Sequence, residues 1–480
     1  MSNSTSYRRS DGKSMLGFLK GVNPAVYLFG ATVLALILAN SPWSSYYFSL
    51  LETPINLQIG DWQVFSHHGR TMNLGEFIND ALMCFFFFSV GLEIKHEMVG
   101  GSLSDIKTAN LPVLAAIGGM VIPVACFALV ESGNPTVLRG AAIPMSTDIA
   151  FSLAALGLLS SRVPTTLKVF LMALAVVDDI GGILVIAIFY SEGLALLPLL
   201  LAAALLIFTR YCGQKGVYQQ WFYYLMFFLV WLCFLQGGIH TTIAGVLLAF
   251  CVPYVPVGVP KDLMDQISEA SQHFDTYPVE HSKNRVYMSA SQLDTLTQLR
   301  NTSSKVVSPV QRMNVNISPF VNYVVLPLFA FSNAGIALGD VPLSDFAGGV
   351  PFAVMLGLVV GKPLGIFLFT WLFTKLGVVS FPPGMTKRNL LGIGMFAGIG
   401  FTVSLFVATL AYPASLGDIG VEYLNDAKLG ILLGSLISGV VAYYFMRAVL
   451  NKEVKEGRGA ASPEYQAYLK TQSGHPQEEK

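Results

Sequence analysis

The sequence predicts an all-α polytopic membrane protein with about 12 transmembrane helices, and three observations carry that prediction. Apolar residues make up 53% of the 480 residues and charged residues only 12%, roughly half the usual charged share. The apolar residues come in blocks of about 18 or more, the length that crosses a hydrocarbon core. Mean hydropathy is +0.59. The 29 Lys and Arg balance the 29 Asp and Glu, so neither intrinsic disorder, which needs low hydropathy and high charge, nor a basic nucleic-acid binder fits.

The blocks lie near residues 24–42, 74–94, 109–130, 136–158, 165–190, 194–211, 217–235, 238–256, 319–338, 349–375, 389–412 and 426–450. Residues 1–23 are polar and basic (Arg8, Arg9, Lys13, Lys20), with no small-residue cleavage site before Pro42. They form a cytoplasmic N-terminal segment, and the first block is a retained helix, not a signal peptide. Basic residues orient the rest. With the N-terminus inside, only Arg70, Arg139 and Lys428 fall outside, and Lys362 lies within a span. The outside instead carries Glu52, Asp61, Glu131, Glu192, Asp340, Asp345, Asp418, Glu422 and Asp426. Both termini are therefore expected in the cytoplasm.

Between the spans, the outside loop 43–73 alternates polar with apolar around Gly60-Asp61. It reads either as a short β-hairpin, through which two copies would meet as a homodimer, or as an irregular loop. Residues 257–317 read as a mobile cytoplasmic insert, dividing spans one to eight (24–256) from spans nine to twelve (318–450). Residues 451–480 read as a disordered cytoplasmic tail. The five cysteines, Cys84, Cys126, Cys212, Cys233 and Cys251, fall in or beside spans without a CxxC pair. They are read as small buried hydrophobes, not as disulfides or metal ligands.

A charge at the bilayer centre costs several kcal/mol, so ionisable residues inside spans are functional candidates. They are Asp80, Asp148, Asp178, Asp179 and Lys362, with His240 as a titratable companion. Asp178 and Asp179 are adjacent at the middle of the fifth span, in Ala175-Val-Val-Asp178-Asp179-Ile. Two negative charges this close repel, so the pair shares protons and titrates as a coupled unit. Carboxylate oxygens are also the ligands that hard cations prefer, so Na⁺ or Li⁺ and protons would compete for the same atoms. In the fourth span, Pro144 breaks the helix just before Thr147-Asp148. The Gly run Gly392-Ile-Gly394 to Gly398-Ile-Gly400-Phe-Thr402 offers a second break in the eleventh span. Paired broken spans are a sequence pointer to a transport site near the midplane.

Lys362, in Gly361-Lys362-Pro363-Leu-Gly365, needs a carboxylate partner, either Asp178 or Asp148, and a buried lysine can itself exchange a proton. Asp80 either faces an access path or caps a helix. Glu93, Lys95, His96 and Glu97 form either a solvated helix end or a cluster that answers pH. His240 is either a packed helix-end histidine or a proton-responsive one.

At these positions the chain resembles the NhaA-type sodium/proton antiporters. The motifs are Ile78-Asn-Asp80-Ala-Leu-Met, Val90-Gly-Leu-Glu93-Ile-Lys95, Thr147-Asp148-Ile-Ala-Phe151, Ala175-Val-Val-Asp178-Asp179, Gly238-Ile-His240-Thr-Thr-Ile-Ala-Gly245, Leu328-Phe-Ala-Phe-Ser-Asn-Ala-Gly335, Gly361-Lys362-Pro-Leu-Gly365 and Gly398-Ile-Gly-Phe-Thr402. The resemblance implies inverted-topology repeats, spans three to five and ten to twelve, with spans four and eleven crossing as discontinuous helices. It implies a bacterial inner-membrane location, Na⁺, Li⁺ and H⁺ as cargo, and no resident cofactor. By the same resemblance, Asp178 and Asp179 hold cation and proton, and Lys362 pairs with Asp178. Thr147 and Asp148 would stabilise the crossing, Asp148 offsetting the positive ends of two half-helices. The chain departs from the family pattern at His96, where Arg is common, and in Arg312-Met-Asn-Val-Asn-Ile-Ser-Pro319, which lacks acids. Its pH response is therefore expected to be shifted or weakened.

The expected function is electrogenic export of Na⁺ or Li⁺ against H⁺ entry by alternating access. Two rivals remain at this level. A sodium-coupled organic-anion symporter would need a cationic pocket, and no intramembrane arginine supplies one. An intramembrane aspartyl protease using Asp148 and Asp179 would carry a Gly-x-Gly-Asp signature that the sequence lacks.

Overall fold

The computed structural model describes residues 23–472, except 61, 68–69, 102, 160–162, 191–194, 337–347 and most of 256–306. The N-terminal segment, most of the insert, and Asp61, Glu192, Asp340 and Asp345 thus lie outside the described residues. What is described is almost wholly helical. In chain order the helices are α1 (Pro24–Ala39), α2 (Ser44–Leu51), α3 (Leu74–Gly100), α4 (Ile106–Val130), α5 (Pro135–Met145), α6 (Ile149–Gly157), α7 (Thr165–Phe189) and α8 (Leu196–Gln214). They continue with α9 (Gln220–Gly237), α10 (Thr241–Cys251), α11 (Pro309–Asn333), α12 (Gly349–Lys375), α13 (Lys387–Ala397), α14 (Phe401–Ala411), α15 (Asp418–Lys455) and α16 (Pro463–Gln472). Among the described residues, eight helices are long and apolar enough to cross a membrane, and up to eleven spans result if three bent pairs are each one span.

The bends explain the breaks read from the sequence. α5 and α6 meet at 43°, α13 and α14 at 50°, and α1 and α2 at 117°. Pro144 sits in the tight last turns of α5, and Ser146 and Asp148 are extended, so the ladder stops at Met145, just before the polar pair. α12 stays continuous but widens into a π-turn over Gly357–Gly361, just before Lys362-Pro363, where proline removes a backbone donor.

Four expectations need correction. The eighth block forms only the 11-residue α10, about 16 Å long, because the chain turns at Gly238 in the left-handed region. The ninth helix begins ten residues earlier than read, at Pro309, capped by Ser308, so part of the insert belongs to it. The twelfth helix starts at Asp418, so Lys428 is not a loop residue but a buried one. The tail is ordered over much of its length: α15 runs to Lys455 and α16 covers Pro463–Gln472. Its polar composition hides two anchors, Glu453 and Tyr465, that are buried against the rest of the chain.

Between α2 and α3 the chain forms short antiparallel ladders, β1 (Gln58–Ile59) with β2 (Trp62–Gln63), and β3 (Ser66–His67) with β4 (Arg70–Thr71). A third, β5 (His281–Ser282) with β6 (Arg285–Val286), falls within the insert. Many outward side chains on α1, α8 and α15, such as Val26, Leu197 and Val440, are large, apolar and exposed. That surface suits lipid, not water.

Candidate functional site

The site forms where the two breaks meet. Between α5 and α6, the Asp148 amide donates to Ile399 O at 2.8 Å. Ser152 Oγ donates to Phe396 O at 2.8 Å, and Ser404 Oγ donates to Ile143 O at 2.8 Å. Each interrupted helix thus satisfies the open backbone groups of the other, as buried backbone requires. The glycines of the second break allow the approach. A Cβ on Gly398 would fall on Leu358 O and Ser438 Oγ, and one on Gly400 would come within 3.2 Å of Ser146 O.

Asp148 binds both half-helices. Its Oδ1 accepts from Phe151 N at 3.0 Å, in the first turn of α6. Its Oδ2 accepts from Thr402 N at 3.1 Å and from Thr402 Oγ1 at 2.5 Å, at the start of α14. One carboxylate therefore answers the partial positive charge and orphan amides of two helix N-termini. Thr147 Oγ1 lies 2.7 Å from Asp178 Oδ2 and 3.0 Å from Ala397 O. With one proton, it bridges the break to the aspartate pair by donating to one or the other.

α7 carries both aspartates at its buried centre. Lys362 Nζ is 2.8 Å from Asp178 Oδ2, and both side chains are wholly buried. The same ammonium donates to Met145 O, the last carbonyl of α5. Of the two carboxylates open to Lys362 from the sequence, the structure pairs it with Asp178. Asp179 is held differently. Among the described residues, none donates a hydrogen bond to either of its carboxylate oxygens or to Asp178 Oδ1. Such orphan acceptors are rare in buried positions and expensive unless a proton or cation meets them.

Asp179 lines a cavity of about 190 Å³ with Thr147, Asp148, Thr402, Ser89, Glu93 and Asn322. The donor set is entirely oxygen, which fits a hard monovalent cation better than a soft metal.

The other titratable candidates separate. Glu93 joins this cavity, but Lys95 donates to Phe250 O and Val252 O, tying the end of α10 to α3. His96 stacks beside Tyr254, their ring centroids 6.1 Å apart, so Glu93, Lys95, His96 and Glu97 do not converge on one point. Asp80 and His240 belong to a second pocket of about 420 Å³, with His240 Nε2 3.5 Å from Asp80 Oδ1. Asp80 does not cap α3, since Asn73 and Glu76 form that capping box. Lys428 lines the same pocket, a residue missed because it was counted with the outside charges at the edge of its span.

Between the two cavities, α14 is buried without interruption from Ser404 to Ala408. Phe406 there packs against Phe87 (5.4 Å), Phe329 (6.2 Å) and His240 (5.3 Å). The layer separates the Asp179 cavity from the Asp80 pocket.

A family profile described as Na⁺/H⁺ antiporter 1 matches residues 19–446. Among curated relatives, the chain is 48% identical over 434 residues to the Na(+)/H(+) antiporter NhaA of Parabacteroides distasonis, covering 90% of this chain and 95% of that one. It is 50% identical over 431 residues to the protein of that name from Porphyromonas gingivalis, covering 90% and 94%. Its identity to that of Rhodospirillum rubrum is 39% over 436 residues, covering 91% and 97%.

Proposed function

The chain belongs to the Na⁺/H⁺ antiporter 1 family, whose members are secondary transporters and not enzymes, and from that premise we propose that it exchanges Na⁺ for H⁺ across a bacterial inner membrane, electrogenically and by alternating access. The aspartyl-protease alternative falls with the family assignment. The observation that carries the reading is the contrast within one buried pair. Asp178 is neutralised by Lys362, while Asp179 presents two unpartnered oxygens to a cavity.

Na⁺ or Li⁺ binds between the carboxylates of Asp178 and Asp179, with Thr147 as a neutral oxygen ligand. Asp148 keeps the two half-helices aligned and shapes the electrostatics of the cavity. Cation arrival displaces Lys362 from Asp178, because one carboxylate oxygen cannot serve both cations at full strength. Lys362 then releases a proton or keeps only the bond that it already makes to Met145 O. Two ionised aspartates with one Na⁺ keep a single negative charge, whereas two protons leave none. If the empty site does not cross, each cycle carries one positive charge inward. The membrane potential then contributes about 2.3 kcal/mol per 100 mV. No resident cofactor enters this scheme.

Spans four and eleven act as crossing discontinuous helices within inverted repeats, and the short α10 completes a twelve-span arrangement with both termini cytoplasmic. The Asp179 cavity then opens inward and the Asp80 pocket outward. Glu93 belongs to the inward entrance and His240 with Asp80 to the outward one, where their protonation adjusts activity with pH. The loop bearing β1 to β4 joins two copies into a homodimer.

Replacing Asp178 or Asp179 by Asn is expected to abolish Na⁺-dependent proton flux in everted membrane vesicles. Undiminished exchange in either variant overturns the proposal.

A further inference from the structure

Glu453 lies beyond residue 446, where the family match ends, in a run of charges that resembles an ordinary solvated helix terminus. Its neighbours Lys452, Lys455 and Glu456 do face outward, but Glu453 is only 2% exposed. Its carboxylate accepts from Thr386 Oγ1 and from Asn389 Nδ2, the latter at 3.3 Å. Those two residues form the capping box of α13. The carboxylate therefore sits on a helix N-terminus, where open amides and the helix dipole favour negative charge.

The chain then folds back over it. Gly459 is in the left-handed region (φ +58°), and a Cβ there would stand 2.5 Å from Glu453 Oε2. Beyond this turn, Tyr465 is 4% exposed, and its hydroxyl accepts from Thr165 N at 2.7 Å, on the first residue of α7. Thr166 Oγ1 donates to Pro383 O at 3.0 Å, binding the start of α7 to the loop before α13.

The far end of α13 and the middle of α7 carry the site. α13 is 11 residues, about 16 Å, and its last carbonyls are the ones that Ser152 and Thr147 meet. Thr147 reaches Asp178, and α7 bears Asp178 and Asp179 themselves. A single tail segment thus grips both elements on which the aspartate pair depends.

We propose that Glu453, seconded by Tyr465, is a positioning residue for exchange: it fixes α13 and α7 in register, and so sets how tightly the aspartate pair holds Na⁺. This inference rests on the exchange function proposed above. It acts through helix placement, since Glu453 itself touches neither cargo nor the aspartates.

The test is proton flux in proteoliposomes of the full chain, measured against Na⁺ concentration for wild type, Glu453→Ala, Glu453→Gln, Tyr465→Phe and the exposed control Lys455→Ala. Glu453→Ala is expected to raise the Na⁺ concentration for half-maximal flux about 3- to 10-fold, with maximal rate per molecule changed less. Glu453→Gln, which keeps an acceptor oxygen, falls between it and wild type, and Lys455→Ala matches wild type. If Glu453→Ala does not accumulate, Glu453→Gln and Tyr465→Phe carry the test, each expected to raise half-saturation at least 2-fold. Half-saturation unchanged in whichever variants accumulate overturns the clamp, even if abundance falls. A wild-type protein without Na⁺-driven flux refutes the exchange function instead, so the two failures are distinct.

Discussion

Lys362 Nζ lies 2.8 Å from Asp178 Oδ2 with both side chains wholly buried, while the next residue, Asp179, receives no hydrogen bond at either carboxylate oxygen from the described residues. One aspartate is therefore part of the structure and the other is loosely held, although the two are adjacent on one helix. Their substitutions should differ accordingly.

Removing the lysine leaves a buried carboxylate uncompensated. Lys362→Met is expected to destabilise the protein by about 3–5 kcal/mol, read as a lowered unfolding midpoint in detergent. Adding Asp178→Asn should restore most of that loss without restoring transport. A double variant as unstable as Lys362→Met alone would show that the pair is not the reason.

Asp179→Asn, by contrast, breaks no hydrogen bond and is expected to shift stability by less than about 1 kcal/mol. It should instead remove the stabilisation that Na⁺ gives the wild-type protein, about 2.7 kcal/mol at a concentration one hundred times Kd. Thermal unfolding of both proteins with and without NaCl, at constant ionic strength, measures this. Equal Na⁺ stabilisation would take Asp179 out of the cation site.

Asp148 closes two helix ends at once, and each cap is worth about 0.5–2 kcal/mol. Asp148→Ala is therefore expected to cost about 1–4 kcal/mol in unfolding free energy. Thr402→Val, which removes only the hydroxyl donor, should cost less, because Thr402 N still reaches Asp148 at 3.1 Å. A larger loss for Thr402→Val than for Asp148→Ala would contradict the shared-cap assignment.

The buried layer at Phe406 predicts sidedness. In a cysteine-free background, Asn322→Cys in the Asp179 cavity should react with an impermeant thiol reagent from the cytoplasmic side. Thr409→Cys, which lines the Asp80 pocket, should react from the opposite side. Labelling of both from one side would refute the assigned topology.

Much of the site was readable because lipid makes ionisable residues conspicuous. Asp148, Asp178, Asp179 and Lys362 stood out for that reason, and Pro144 and the Gly398–Gly400 run marked where backbone must stop being helical. Lys428 and Glu453 were not readable. Each sits at the edge of an apolar block among other charges, where a buried side chain and a solvated one have the same local sequence. The cluster from Glu93 to Glu97 shows the converse. Four titratable residues in five positions look like one unit, yet a helix turns them about 100° apart per residue and sends Glu93 and Lys95 to different neighbours.

The sequence by itself determined the membrane environment, the rough number of helices, the two interruptions and the charges of the candidate site, Asp148, Asp178, Asp179 and Lys362. These depend on composition and on local backbone chemistry. Only the tertiary structure decided that Lys362 takes Asp178 and leaves Asp179 open, that Asp148 is shared by two half-helices, and that the tail reaches back to hold α13 and α7. Those choices depend on which atoms come within about 3 Å of one another across long stretches of chain, and no local pattern encodes that distance.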